Sequence, residues 1–287
     1  MTGPGLSVDL MTAKVALVTG ATQGLGLALV EGLAQRLSPA DTVYLTGRNI
    51  DRVTAAAEAI SGGGAQVRGE ILDVADPDGP ARFAERLRER HGGVDIVFGN
   101  AVMRVGPDDD PRAIIDPYVE VNNFGTTRLL RAFAPLLRDD ARMIVVASSL
   151  GRLHYLAPVL HNRFDGLASL DEVDRQVASW RDAVRDGSAR GSAWPGFVNI
   201  PSKVAQVAAV RTLAAERRDA DLARGILLAA VCPGMINTPT SGLWWDVSAA
   251  PTPAQAAVAL LDLALEPAKP EHYGELLRDG EVLPWQP

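Results

Sequence analysis

Short runs of apolar residues alternate along this chain with longer stretches of helical periodicity. Lys14–Thr19, Thr42–Thr46, Val94–Phe98, Arg142–Ala147 and Gly225–Val231 are continuous, apolar and rich in β-branched residues, with a weaker run at Gln66–Leu72. Such runs suit strands buried on both faces of a parallel sheet. Between them, Leu25–Leu37, Asp51–Ile60, Pro80–Arg90, Pro117–Leu137, Ser202–Arg218 and Pro253–Leu265 carry amphipathic helical patterns. Strands that alternate with helices predict βαβ units, and hence a doubly wound α/β fold. Residues 151–195 break the rhythm with polar sequence and no strand, and Ser169–Asp186 within them has a helical pattern. They read as a partly helical insertion over one end of the sheet. Residues 13–287 are then one domain, preceded by a flexible tail at 1–12.

Composition narrows the function. The chain has 287 residues and a net charge of −7, which argues against a nucleic-acid partner. No apolar run approaches the ~20 residues of a membrane span, and the N-terminus lacks the pattern of a secretory signal. Its single cysteine, Cys232, excludes an intramolecular disulfide and a multi-cysteine metal site. His, Asp and Glu show no metal-ligand spacing, so no catalytic metal is expected. The expectation is a cytoplasmic protein with a small-molecule substrate. Arginine far outnumbers lysine, of which there are only Lys14, Lys203 and Lys269, and there are four tyrosines.

The first strand runs into Thr19-Gly20-Ala21-Thr22-Gln23-Gly24-Leu25-Gly26 and then the first helix. Glycines here allow a tight turn and close approach of backbone to a pyrophosphate, which the helix N-terminus can then hold. A purely structural turn is the competing reading. The second strand ends in Thr46-Gly47-Arg48-Asn49, without the acid that would bind a ribose 2′-hydroxyl. Arg48 suits a 2′-phosphate, so NADP(H) is the expected cofactor, with a solvated surface arginine as the alternative. Asp73 and Val74, after the third strand, fall where an adenine contact is expected.

The Thr-Gly-x-x-x-Gly-x-Gly spacing resembles the short-chain dehydrogenase/reductase family, a Rossmann-type fold. Gly99-Asn100-Ala101-Val102 resembles a degraded form of that family's Asn-Asn-Ala-Gly segment, with valine replacing a glycine that permits close cofactor contact. Asn122 matches its helix asparagine in Asn122-Asn123-Phe124-Gly125-Thr126. Ser149 matches its catalytic serine, and Pro233-Gly234-Met235-Ile236-Asn237-Thr238 its Pro-Gly segment along the nicotinamide. The resemblance implies cofactor contacts from Gly20, Thr22, Gln23, Gly24, Leu25, Gly26, Arg48, Asp73, Val74, Asn100, Ala101, Lys203, Pro233, Gly234, Ile236 and Thr238. The long gap between Ser149 and Lys203, with Trp194-Pro195 near its end, resembles the carbonyl-reductase branch and implies a monomer.

One departure stands at the reaction centre. The family's catalytic pair is Tyr-x-x-x-Lys, but Lys203 is preceded four positions earlier by Asn199. Residues four apart share a helix face, so the placement is kept while the acid is lost. In the family the tyrosine gives a proton to a carbonyl oxygen, and a positioned acid contributes roughly 10²–10⁴-fold. Asparagine can hydrogen-bond an oxyanion but cannot supply that proton. The implied catalytic set is Asn122, Ser149, Asn199 and Lys203, with Ser149 and Asn199 also touching substrate.

Three readings stay open. The sequence is compatible with a reductase of a C=N or conjugated C=C bond, with a non-redox cyclase or isomerase of secondary metabolism that keeps NADP(H) bound, and with an inactive nucleotide-binding regulator. Tyr155 and His154 are candidates to replace the lost acid and line the substrate site, with packing or a wetted surface as the competing reading; His161 and Tyr118 have weaker cases. Trp244 and Trp245 are expected to wall an apolar substrate, or else to anchor the core.

Overall fold

The computed structural model describes residues 13–60 and 64–286, so the tail expected at 1–12 lies outside them. The described residues form one sheet of eight strands: β1 (Val15–Val18), β2 (Thr42–Gly47), β3 (Gln66–Ile71), β4 (Val94–Gly99), β5 (Leu137–Val146), β6 (Leu227–Val231), β7 (Leu276–Arg278) and β8 (Glu281–Leu283). Their order is β3-β2-β1-β4-β5-β6-β7-β8. All neighbours pair in parallel except β7 and β8, which form an antiparallel hairpin. The doubly wound fold expected from the alternation is the fold observed.

The helices are α1 (Gly24–Arg36), α2 (Ile50–Ala59), α3 (Gly79–His91), α4 (Pro111–Val119), α5 (Gly125–Phe133), α6 (Leu170–Asp186), α7 (Asn199–Ala223) and α8 (Pro253–Leu265). Helix α1 packs on α8, and α3, α5 and α7 pack in a second row, with α6 against α4 and α7. Close approach of α1 and α8 rests on Gly32, where a Cβ would stand 2.2 Å from Leu261 Cδ1. Local signals set the helix ends. Ser169 caps α6 by accepting from Glu172 N–H, and Thr252 and Gln255 form a reciprocal capping box on α8. Strands β1, β2 and β6 are buried throughout. Among the described residues no helix is long and apolar enough to cross a membrane.

Two departures from the sequence reading bear on the site. The single helix expected over Pro117–Leu137 begins at Pro111 and is interrupted by a π turn at Glu120–Phe124. A π turn breaks the regular i→i−4 ladder, and the Asn122 carbonyl within it accepts from Thr126 Oγ1 and from Gln206. Helix α7 opens at Asn199, three residues earlier than expected, so Asn199 is its first residue. The region 151–195 holds short 3₁₀ turns and α6, as its polar pattern implied.

Candidate active site

Strand order reverses between β1 and β4, and in open α/β sheets ligands bind in the crevice at such a point, beyond the carboxyl ends of the strands. Here the crevice contains two adjoining cavities. The first, of about 430 Å³, is lined by the turn from β1 into α1, the end of β2, Asp73 and Val74 after β3, and the loop after β4. Gly20, Thr22, Gln23, Leu25, Gly26, Arg48, Asn100 and Ala101 all line it. Gly20 and Gly24 have φ of 62° and 58°, the left-handed region that glycine enters without strain. At Gly26 a Cβ would lie 2.5 Å from both the Gly20 carbonyl and Asn100 Nδ2. That closeness is what lets Asn100 donate to the Thr19 and Gly20 carbonyls and staple β4 to the β1 turn.

These residues fit a dinucleotide. The glycine turn leaves a cradle of backbone at the N-terminus of α1, which suits a pyrophosphate. Arg48, Arg52 and Arg104 also line this cavity, against one carboxylate, Asp73. The Asp73 carboxylate accepts from Ala75 N–H, which closes a local turn. A positive cleft in a chain of net charge −7 concentrates anionic ligands there.

The second cavity, about 580 Å³, shares Leu25, Asn100, Val102, Met103 and Arg104 with the first. It brings together Asn122, Ser149, Asn199, Lys203, Gly234, Ile236, Thr238, Trp244 and Trp245. Pro233 does not line either cavity, although its neighbours do. Val102 stands in both and is 40% exposed, so its side chain projects into the crevice where a glycine would leave room. Tyr155 is a correction. It ends a 3₁₀ turn, is 38% exposed, and stacks on His154 at 4.1 Å outside the cavity. The neighbouring Leu153 and Leu156 are buried, and Leu153 N–H bonds the Trp285 carbonyl, so this turn points His154 and Tyr155 outward.

Asn122 is buried inside the π turn and fixed by the 101–105 loop. Its Oδ1 accepts from Met103 N–H at 2.7 Å and its Nδ2 donates to the Met103 carbonyl at 3.0 Å. Lys203, one turn after Asn199 on α7, is buried; its Nζ donates to Gln206 Oε1 at 2.7 Å and to the Val146 carbonyl at 3.4 Å. Gln206 Nε2 donates to the Asn122 carbonyl and to Thr126 Oγ1, which fixes the orientation of its amide. Asn199 accepts a hydrogen bond from the Tyr118 hydroxyl at 2.9 Å. Gln206 carries no motif and was missed; its spacing of three from Lys203 on one helix was the available signal. Among the described residues, this cavity is lined by no Tyr, His, Asp or Glu, and its ionisable lining is Arg104, Lys203, Cys232 and Arg278.

Burial pushes the Lys203 ammonium down from 10.5 to about 8, opposed by the charge Cys232 can carry. Between those values the folded chain binds fewer protons at this site than the unfolded chain, so wild-type stability rises with pH. The penalty, about 3 kcal/mol for a shift of this size, is fully present below pH 8 and gone above pH 10.5. Lys203→Met has no such titration. Chemical denaturation of the cofactor-free protein is expected to show the stability of wild type rising relative to Lys203→Met across that window. A constant difference contradicts the assignment.

On the substrate side, Trp244 lies 5.2 Å from the Phe197 ring and 6.0 Å from Trp245, and its indole N–H donates to the Val105 carbonyl at 3.0 Å. Arg104 Nη1 donates to Thr240 Oγ1. These two hydrogen bonds join the loop after β4 to the loop after β6 across the mouth of the crevice.

A short chain dehydrogenase family profile matches residues 14–159. The NADPH carbonyl reductase 3 of Mus musculus is 29% identical over 282 residues, covering 95% of this chain and 99% of that protein. The NADPH carbonyl reductase 1 of Homo sapiens is 28% identical over 277 residues, covering 94% and 98%. The solved structure of menthone neomenthol reductase from Mentha piperita superposes with a TM-score of 0.75 at 24% identity, covering 94% of this chain and all of that one. These matches cover 94–95% of this chain, well beyond the profile match, which puts Asn199 and Lys203 within the matched span. With its glycine turn, strand order and profile match in agreement, this chain belongs to the short-chain dehydrogenase family and is carbonyl-reductase-like.

Proposed function

We propose that this chain is an NADP(H)-dependent oxidoreductase that reduces a C=N or conjugated C=C bond of a small apolar molecule. The observation that carries the reading is the cavity lining: the residue one helical turn before Lys203 is an amide, and among the described residues no Tyr, His, Asp or Glu faces the space. Bound NADPH supplies a hydride beside that cavity. The Lys203 ammonium suits the ribose hydroxyls, Arg48 the 2′-phosphate, and the α1 N-terminus the pyrophosphate. Ser149 and Asn199 line the cavity and are suited to hydrogen-bond a substrate oxygen. Asn122 orders the 101–105 loop and, through Gln206, the lysine. Phe197, Trp244 and Trp245 supply an apolar wall.

The reading is tested with NADPH and three probes, following the absorbance of the reduced nicotinamide. A cyclic N-methyl iminium or 2-cyclohexenone is expected to oxidise NADPH, and cyclohexanone to do so at least a hundredfold more slowly. Cyclohexanone turnover at a matching rate overturns it. Arg48→Ala is expected to weaken NADPH binding at least tenfold more than NADH binding in calorimetric titrations. Equal weakening removes Arg48 from the 2′-phosphate site.

A second reading, a non-redox cyclisation or isomerisation on a retained NADP(H), is favoured by the two hydrogen bonds across the crevice mouth, Arg104 to Thr240 and Trp244 to Val105. They hold the loops together over the cofactor cleft. Product formation with no change in reduced-nicotinamide absorbance is its expected signature.

A further inference from the structure

The Asn199 side chain has a donor end and an acceptor end, and which of them faces the cavity decides what group it recognises. Tyr118, the penultimate residue of α4, settles this from behind. It is 1% exposed, does not line the cavity, and donates its hydroxyl proton to Asn199 Oδ1 at 2.9 Å. A phenol has one proton to give. Asn122 has both ends of its amide taken up by the backbone groups of Met103. Ser202 stands beside the phenol and spends its own proton on Asn123 Oδ1. Burial pushes the Tyr118 hydroxyl up to about 12, so it stays a donor throughout the working range. Among the described residues, Asn199 Nδ2 has no protein acceptor.

We infer that Tyr118 is a positioning residue that holds the Asn199 amide with its N–H donors toward the cavity, so that the substrate atom met there is a lone-pair oxygen, the carbonyl of an α,β-unsaturated ketone or aldehyde, and not the nitrogen of an iminium. The inference rests on the oxidoreductase reading and chooses between its two substrate classes. An iminium has no lone pair on nitrogen, and its positive charge would face N–H donors. A neutral imine has a lone pair but needs a proton on nitrogen as it is reduced, and an amide does not provide one.

A conjugated carbonyl meets both conditions. A C–H bond forms at the β carbon with the hydride electron pair, and NADPH becomes NADP⁺. The C=C pair moves to join the α carbon to the carbonyl carbon, and the C=O pair moves onto oxygen. The enolate oxygen accepts from Asn199 Nδ2 and the Ser149 hydroxyl. Water then delivers a proton to the α carbon and the carbonyl re-forms, so the substrate gains a hydride and a proton.

The test uses 2-cyclohexenone labelled with carbon-13 at the carbonyl, at saturation on protein loaded with NADP⁺. Wild type is expected to move the bound carbonyl resonance downfield, as hydrogen-bond donors do, and Tyr118→Phe to lose at least half of that displacement. With NADPH, Tyr118→Phe is expected to lower kcat for the enone about tenfold while KM stays within twofold. A displacement absent from wild type, or unchanged in Tyr118→Phe, overturns the inference, since phenylalanine keeps the packing and loses only the hydroxyl. If Tyr118→Phe does not fold, the side-chain amide signals of Asn199 in wild type, assigned by their loss in Asn199→Leu, take its place. They are expected to move downfield when the enone is added, and unmoved signals overturn the inference. Faster turnover of the N-methyl iminium than of the enone overturns it while leaving the oxidoreductase reading standing. A displacement that depends on Tyr118 without any NADPH oxidation upholds it and removes that reading instead.

Discussion

Asn199→Tyr is expected to turn this protein into a reductase of simple ketones. The substitution places a phenol one helical turn before Lys203, on the face that lines a cavity of about 580 Å³. Asn199 is half-buried at the first position of α7, so the larger ring enters open space and does not displace core. The Lys203 ammonium, charged below pH 8, favours the phenolate and so brings the phenol pKa down toward the working range. A positioned acid contributes roughly 10²–10⁴-fold, and cyclohexanone reduction is expected to rise by that order over wild type. The gained activity is expected to fall at high pH, as the introduced phenol loses its proton. The measurement is NADPH oxidation with cyclohexanone across pH, on protein first shown to bind NADPH. A folded, cofactor-binding Asn199→Tyr with no gain would place the reaction centre elsewhere.

Gly26→Ala has the second-largest expected effect. Its Cβ would lie 2.5 Å from the Gly20 carbonyl and 2.9 Å from Ala21 Cα, both in the turn that faces the pyrophosphate, and 2.5 Å from Asn100 Nδ2, which staples that turn to β4. Two of these three contacts are backbone, which cannot swing aside as a flexible side chain can. Relief therefore requires the turn to move off α1 and Asn100 to release the Thr19 and Gly20 carbonyls. Overpacking of this kind destabilises by about 1–3 kcal/mol, and NADPH affinity is expected to fall at least tenfold. Calorimetric titration and thermal melting, run together, separate the two effects. Unchanged affinity in a folded Gly26→Ala would show that the dinucleotide does not use this turn.

How much of this was legible in the sequence follows from how each residue acts. Strands β1, β2 and β6 were readable because they are buried throughout, as in β6 (Leu227–Val231), and β4 and β5 because each keeps a buried apolar run, Ile96–Phe98 and Met143–Val146. Strand β3 was faint because its burial is only partial along its length and Arg68 and Glu70 sit within it. The hairpin β7–β8 went unseen, since each strand has three residues, too few to display a period. Asn199 and Lys203 were legible because they act on one helix face at a fixed spacing. In the sequence Tyr118 is only a weak substitute acid, since its contact with Asn199 spans 81 residues and depends on where α4 docks. Gln206 and Arg104 depend in the same way on partners distant in sequence, Asn122 and Thr240. Tyr155 was misjudged because closeness in sequence to Ser149 says nothing about which way a 3₁₀ turn points its side chains.

Hydride delivery without a proton donor at position 199 is read out by where the transferred hydride ends up. NADPH deuterated at the transferring position is incubated with 2-cyclohexenone and the product examined by NMR. The expected product is saturated cyclohexanone with deuterium on the carbon β to the carbonyl. Deuterium on the carbonyl carbon, giving an allylic alcohol, would mean that the oxygen is protonated as in an ordinary ketone reductase and would contradict hydride delivery without a proton donor.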